Sequence, residues 1–219
     1  MRLGFLIIFL FVNLTLLGQI KINFTFDSKP LIKGEKFKFD TTWIKVEELK
    51  FYLVYTPFFS DENTTGSSII HLVDLNDSSS YIIPFTEDGI KNPTSFDFAI
   101  GLDSSATMST QFSGALDPVL GMYWAWNTGY IHFKLEGTSN LCSTKNQEFQ
   151  YHIGGYSGKF ATQRWLTSPV SLNNQLPFIE IDIASLFKEV VNLKEKPLIM
   201  IPGKEAIFFA DNYFRMFKK

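Results

Sequence analysis

Ile20-Lys-Ile-Asn-Phe-Thr-Phe26 carries an apolar side chain at every second position. Successive side chains of a β-strand point to opposite faces, so Ile20, Ile22, Phe24 and Phe26 line one face and Lys21, Asn23 and Thr25 the other. The same period recurs at KFKFDTTWI (36–44), ELKFYLVYT (48–56), SIIHLVDL (68–75), SYIIPF (80–85) and TSFDFAIG (94–101). It returns at YIHFKLEG (130–137), EFQYHIGG (148–155), FIEIDI (178–183) and PLIMIP (197–202). Between these runs lie polar stretches such as SDENTTGSS (60–68), LNDSSS (75–80) and SNLCSTKNQ (139–147), which read as exposed loops. One helical stretch stands out, Ser185-Leu-Phe-Lys-Glu-Val-Val191, with Asp182 or Ser185 as the capping oxygen. Short strands without βαβ alternation predict an all-β fold, a two-sheet antiparallel β-sandwich or flattened barrel with one short helix.

N-terminal to this first strand stands MRLGFLIIFLFVNLTLLG, one basic residue followed by an apolar run that ends at Gly18. That is the layout of a secretory signal. The run is shorter than the roughly 20 residues that cross a bilayer, contains Asn13, and leads directly into an alternating strand. The expected division is a signal peptide over 1–18 and a single β domain over 19–219. Such a chain is periplasmic, secreted or held at the cell surface, with no transmembrane span after cleavage. With Arg2 removed, 19 basic residues face 22 acidic ones, a net charge of −3. No basic stripe interrupts this mixed surface, which excludes phosphate-backbone binding and hence nucleic acid. Cys142 is the only cysteine, so no internal disulfide forms and stability must come from the core.

Most catalytic chemistries find no footing. Gly155-Tyr-Ser-Gly158 lacks the spacing of a nucleophile elbow, and in GGYSGKF the residue after Lys159 is Phe160 where a phosphate loop needs Ser or Thr. Asp74, Asn76 and Asp77 offer oxygens, but no twelve-residue loop with a terminal Glu surrounds them, so calcium is not expected. Asp117, Glu136 and Glu180 are isolated acids rather than a recognisable glycosidase pair. Asn63-Thr-Thr65 and Asn76-Asp-Ser78 match the glycosylation sequon, which matters only in a eukaryotic secretory pathway. The expectation is a protein that is not an enzyme.

Three histidines remain. In YIHFKLEG, Ile131, Phe133 and Leu135 share a face, leaving Tyr130, His132, Lys134 and Glu136 on the other. In EFQYHIGG the apolar face is Phe149, Tyr151 and Ile153, so His152 lies opposite. If the two strands are neighbours, His132 and His152 converge on one sheet surface, where a pair of imidazoles suits copper. A histidine on a polar strand face is also commonly plain surface. His71 alternates with Ile69 and Val73, and partial burial with a hydrogen-bond partner suits it better than ligation. The aromatic run Gly121-Met-Tyr-Trp-Ala-Trp-Asn-Thr-Gly-Tyr130 places Met122, Trp124 and Trp126 on one face. It serves either as a plug for the end of a sandwich or as an exposed stacking platform for a glycan or protein partner. Asp117, Pro118 and Asn127 read as residues that fix turns.

Gly114-Ala-Leu-Asp-Pro118, Gly121 to Tyr130, and Lys134-Leu-Glu-Gly137 together resemble a block of the methanobactin-associated copper-binding (MbnP-like) family. Leu49-Lys-Phe-Tyr-Leu53, His71-Leu-Val-Asp74, Phe98-Ala-Ile-Gly-Leu-Asp103 and Phe149-Gln-Tyr-His-Ile-Gly-Gly155 resemble further pieces of that family in the same order. The resemblance implies an exported β-rich copper binder that acts with a di-haem peroxidase-like partner, which oxidises a tryptophan to kynurenine. By position, His152 is the first ligand it suggests, with His132 and then His71 behind it. Many relatives carry Asn at the position of His132. Tyr130-x-His132 stands where copper-repressible relatives have Trp-x-His, which leaves Trp124 or Trp126 as the residue to be oxidised.

Overall fold

The computed structural model describes residues 17–56, 68–86, 94–109, 111–127, 129–172 and 176–217. Strand β1 spans Leu17–Phe26, β2 Lys29–Pro30, β3 Lys36–Phe39, β4 Thr42–Tyr55, β5 Ile69–Asp74, β6 Ile82–Thr86 and β7 Ser95–Ile100. After helix α1 (Ser104–Met108) come β8 (Tyr123–Trp124), β9 (Gly129–Thr138), β10 (Glu148–Gly154), β11 (Arg164–Pro169) and β12 (Phe178–Asp182). Helix α2 (Ala184–Glu189), β13 (Leu198–Ile199) and α3 (Lys204–Ala210) complete the described elements, apart from short 3-10 turns.

They form two sheets. In the smaller, β1 pairs with β2, β6 and β12; in the larger the path is β11-β7-β4-β9-β10-β13, with β3 and β5 on β4 and β8 on β9. The inner faces meet as a sandwich core. Ile20, Ile22, Phe24, Ile179 and Ile181 come from the small sheet, and Phe51, Leu53, Phe98, Phe133, Phe149 and Ile153 from the large one. The fold is therefore the expected β-sandwich. Two of its pairings are parallel, β1 with β12 and β10 with β13.

Several local expectations shift. The run 36–44 gives β3 and the start of the long β4, which the run 48–56 completes, and the β4 register against β9 shifts between Val46 and Glu48. Ile44 and Val46 face the core before that shift and Leu49, Phe51, Leu53 and Tyr55 after it, because one extra residue reverses the alternation. Strand β11 escapes sequence reading, since Trp165 is exposed and the apolar alternation fails. The expected helix appears as α2, with Asp182 Oδ1 accepting from Ala184 N at 3.2 Å, and α1 and α3 are two further short helices among the described residues. The leader expected over 1–18 lies outside the described residues up to position 16; Leu17 and Gly18 pair with Thr86 and Phe85. Asn63 also lies outside them. Cys142 is buried and free, and burial pushes its thiol up to about 11.

Phe133 sits fully buried at the centre, 5.8 Å from the Phe51 ring and 5.5 Å from Phe209. Phe133→Ala is expected to cost about 3–5 kcal/mol of unfolding free energy in urea, while Phe214→Ala, at a half-exposed ring, stays within about 0.5 kcal/mol.

Candidate functional site

The outer face of the large sheet grades from charge to hydrocarbon along the strands. Register sets the rows. His152 of β10 pairs with Lys134 of β9, Lys134 with Lys50 of β4, and Lys50 with Asp74 of β5. The next row sets Gln150 opposite Glu136 and Glu136 opposite Glu48. Between β4 and β9 like charges thus face each other within rows, and the attraction runs along strands, diagonals and across to Asp74 of β5. Glu48 holds Lys50 at 3.3 Å and Lys134 at 3.1 Å through its two oxygens, and Asp74 holds Lys50 at 3.2 Å. Glu136 Oε1 stands 3.4 Å from Lys134 Nζ and 2.6 Å from His152 Nε2. The His152 hydrogen bond, aided by Lys134, keeps the Glu136 carboxyl below its usual range. The Lys50 ammonium is raised, because Asp74 and Glu48 together outweigh its burial.

On the far side of the cation row the same face becomes apolar. Tyr52, Val54, Ala99 and Tyr130 meet a cover of Leu102, Leu116, Met122 and Trp124 in a second core. The segment 102–124 is that cover. Lys50 Nζ donates to Leu120 O at 3.1 Å and Tyr130 Oη to Leu116 O at 2.9 Å, tying it to the sheet. Asp117 Oδ1 accepts from Val119 N at 2.9 Å with Pro118 opening the 3-10 turn, as the sequence leads one to expect. The plug expected of the aromatic run is half realised. Met122 and Trp124 are buried, but the chain turns after Trp124, which leaves Trp126 64% exposed with its ring 5.7 Å from that of Trp124.

His132 lies at the border between the two regions and is wholly buried. It fits because residue 101 is glycine. A Cβ there would stand 2.7 Å from His132 Nδ1, and φ of +95° is a conformation that glycine alone adopts freely. His132 Nδ1 lies 2.9 Å from Thr162 Oγ1, which is 3.3 Å from Gly155 O. His132 Nε2 is buried with no hydrogen-bond partner. On β10, Gly154 lets the Trp124 ring close in, since a Cβ there would stand 2.7 Å from the indole. Trp124 therefore covers the position two residues beyond His152. A cavity of about 210 Å³ opens above, lined by Trp124, Tyr130, Gly155, Tyr156 and Phe160 among others.

His132 and His152 thus stand on adjacent strands, but the register shifts there, Ile153 pairing with Phe133 and Gly154 with Ile131, so the alternation behind the expected common face breaks at His132. Each has one ring nitrogen engaged, by Thr162 and by Glu136. His71 does not join them: it pairs with Leu53 on the core-facing side, and its Nε2 lies 2.7 Å from Ser80 O. The acids considered for calcium fix local structure, Asp77 Oδ1 capping the turn at Ser79 N, 3.0 Å away, and Asp74 holding Lys50. Glu180 belongs to the other sheet and lies 3.2 Å from Thr25 Oγ1. Among the described residues no group of three or more His, Cys, Asp and Glu side chains is placed to hold a metal, and no helix is long and apolar enough to cross a membrane. Sequence reading passed over Thr162 and Gly101. Gly101 carries a signal, as the Gly of Phe98-Ala-Ile-Gly; Thr162 carries none.

The MbnP family model matches residues 17–201, a span that takes in both sheets, the cover and all three histidines. The chain belongs to the MbnP family. A solved relative, MbnP from Methylosinus trichosporium, superposes with a TM-score of 0.55 at 12% identity, over 81% of this chain and 79% of that one. At that identity the likeness establishes the shared MbnP fold. No protein of curated function matches the sequence.

Burial pushes the His132 imidazole down to about 3 from an ordinary 6.5. The unfolded chain takes up a proton that the folded one refuses. The stability tied to this histidine is therefore complete above pH 6.5 and lost as pH falls toward 3. Its share of the slope is up to about 1.4 kcal/mol per pH unit. Urea unfolding between about pH 7 and about pH 4 is expected to show a shallower loss in His132→Gln than in the parent protein.

Proposed function

We propose that this member of the MbnP family is an exported copper-binding protein, with no turnover reaction of its own, that takes the metal on His132 and His152. The observation that carries the reading is the bare Nε2 of His132, a buried nitrogen with no partner in the protein. Buried polar atoms are rarely left unpaired, and the exceptions call for a reason. A metal ion supplies one. Burial also keeps this imidazole neutral, the form that ligates.

His152 supports the same reading from the neighbouring strand. Its Nε2 is taken by Glu136, in the carboxylate–histidine pairing that commonly orients a metal ligand, and its Nδ1 has no described hydrogen bond. Copper is the metal that the family resemblance implies, and imidazole donors with the divalent affinity order suit it. Any further ligand would come from outside a His, Cys, Asp and Glu cluster, since no three such side chains are placed to hold a metal among the described residues. The face around it is half charged, half hydrocarbon, so the pair sits at the edge of a water-poor region.

The di-haem peroxidase-like partner and the oxidised tryptophan belong to the same proposal and rest on the family. Of the two tryptophans, Trp126 is the accessible one, and it touches Trp124, which covers β10 beside His152. A glycan-stacking role for the same exposed ring makes the opposite prediction, quenching of tryptophan fluorescence by oligosaccharide and indifference to chelators.

Copper titration of the purified protein with a competing chelator is expected to give a dissociation constant tighter than about 1 μM, equivalent to about −8 kcal/mol. His132→Ala and His152→Ala each weaken it by about 100-fold or more, and His71→Ala leaves it unchanged. Binding weaker than about 1 mM by the parent protein sinks the reading. Intact mass after export in the native host is expected to show oxygen insertion in the peptide that holds Trp124 and Trp126, lost in Trp126→Phe. An unmodified mass removes the oxidation step.

A further inference from the structure

Thr162 is fully buried, and its hydroxyl lies between two groups, His132 Nδ1 at 2.9 Å and the carbonyl of Gly155 at 3.3 Å. A hydroxyl has one proton to give. If the proton goes to Gly155 O, Thr162 Oγ1 accepts from Nδ1–H, both contacts are hydrogen bonds, and His132 Nε2 is left as a lone pair. If it goes to Nδ1 instead, the ring proton moves to Nε2, where no acceptor exists. That second arrangement makes one bond fewer and strands an N–H donor in the interior, the rarer and costlier defect.

The Gly155 carbonyl is held in place for this purpose. It also accepts from the Thr162 backbone amide at 2.9 Å, so the amide and hydroxyl of one residue close the loop 155–162 on one oxygen. Gly155 itself has φ of +133°, and a Cβ there would stand 2.2 Å from Phe160 O, so the loop requires glycine at that position. Gly101 packs closely against the His132 side chain, and Gln163 Nε2 donates to the Gly101 carbonyl at 3.2 Å, which fixes the backbone that confines the ring.

We propose that Thr162 is a positioning residue that locks His132 in the Nδ1–H tautomer through the Gly155 carbonyl, so that Nε2 is presented as a lone pair before any metal arrives. The tautomer stands on the hydrogen-bond geometry alone; its consequence for copper rests on the function proposed above.

The test reads the metal-free protein first. Long-range proton–nitrogen spectra of the 15N-labelled chain are expected to show His132 protonated at Nδ1 and bare at Nε2, in the parent protein and in Thr162→Ser. Thr162→Val, close in shape but without the hydroxyl, is expected to give a mixture or the reverse tautomer, with the His71 and His152 signals unmoved. A parent protein protonated at Nε2, or a Thr162→Val variant that keeps the parental tautomer, overturns the proposal. Copper titration then separates the two claims. Thr162→Val is expected to bind copper about 10- to 100-fold more weakly, with Thr162→Ser restored to within a few-fold. A parent protein that shows the tautomer and takes up no copper supports the Thr162 relay and removes the copper function.

Discussion

Strand β9 is paired on both edges over Phe133–Thr138, with β4 on one side and β10 on the other, so the direction of each side chain there is imposed by two neighbours at once. Everything else at the site follows from that constraint. A one-residue slip would carry Phe133 out among the lysines. The register therefore fixes which side chains of β9 enter the sandwich core.

The outer face manages an unusual combination, six charged or imidazole groups beside a second apolar core. Separating them by rows keeps each group satisfied. Glu48 bridges the two lysines, Glu136 bridges Lys134 and His152, and the Lys50 ammonium reaches onward to a carbonyl of the covering segment. Half-buried ion pairs of this kind contribute modest stability. Their larger effect here is to hold Glu136 where it engages His152, and to anchor the segment 102–124 over Tyr52 and Tyr130.

The block that resembles the MbnP family gains a physical explanation from this arrangement. Residues 114–124 close the outer face: Asp117 and Pro118 shape the turn, Met122 and Trp124 fill the second core, and Gly154 opposite admits the indole. The block is a lid. Val119 within the block and Trp126 just after it are exposed to solvent.

Strand alternation by itself determined the β-sandwich and the inward faces of β1, of β10 and of β9 at Phe133 and Leu135, because a period of two is a local property that any extended chain must obey. It also set His71 apart with Ile69 and Val73. Only the tertiary structure decided that His132 is buried rather than a surface residue, since Gly101 and Thr162, which pack against it, are both distant in sequence. The sequence of β4 does not reveal its bulge, because a single inserted residue leaves both flanking alternations intact. Nor does Thr162 announce itself: a threonine in a loop carries no pattern until folding sets its hydroxyl between an imidazole and a carbonyl. Periodicity reports the direction of a side chain; what it meets there depends on chain brought from elsewhere.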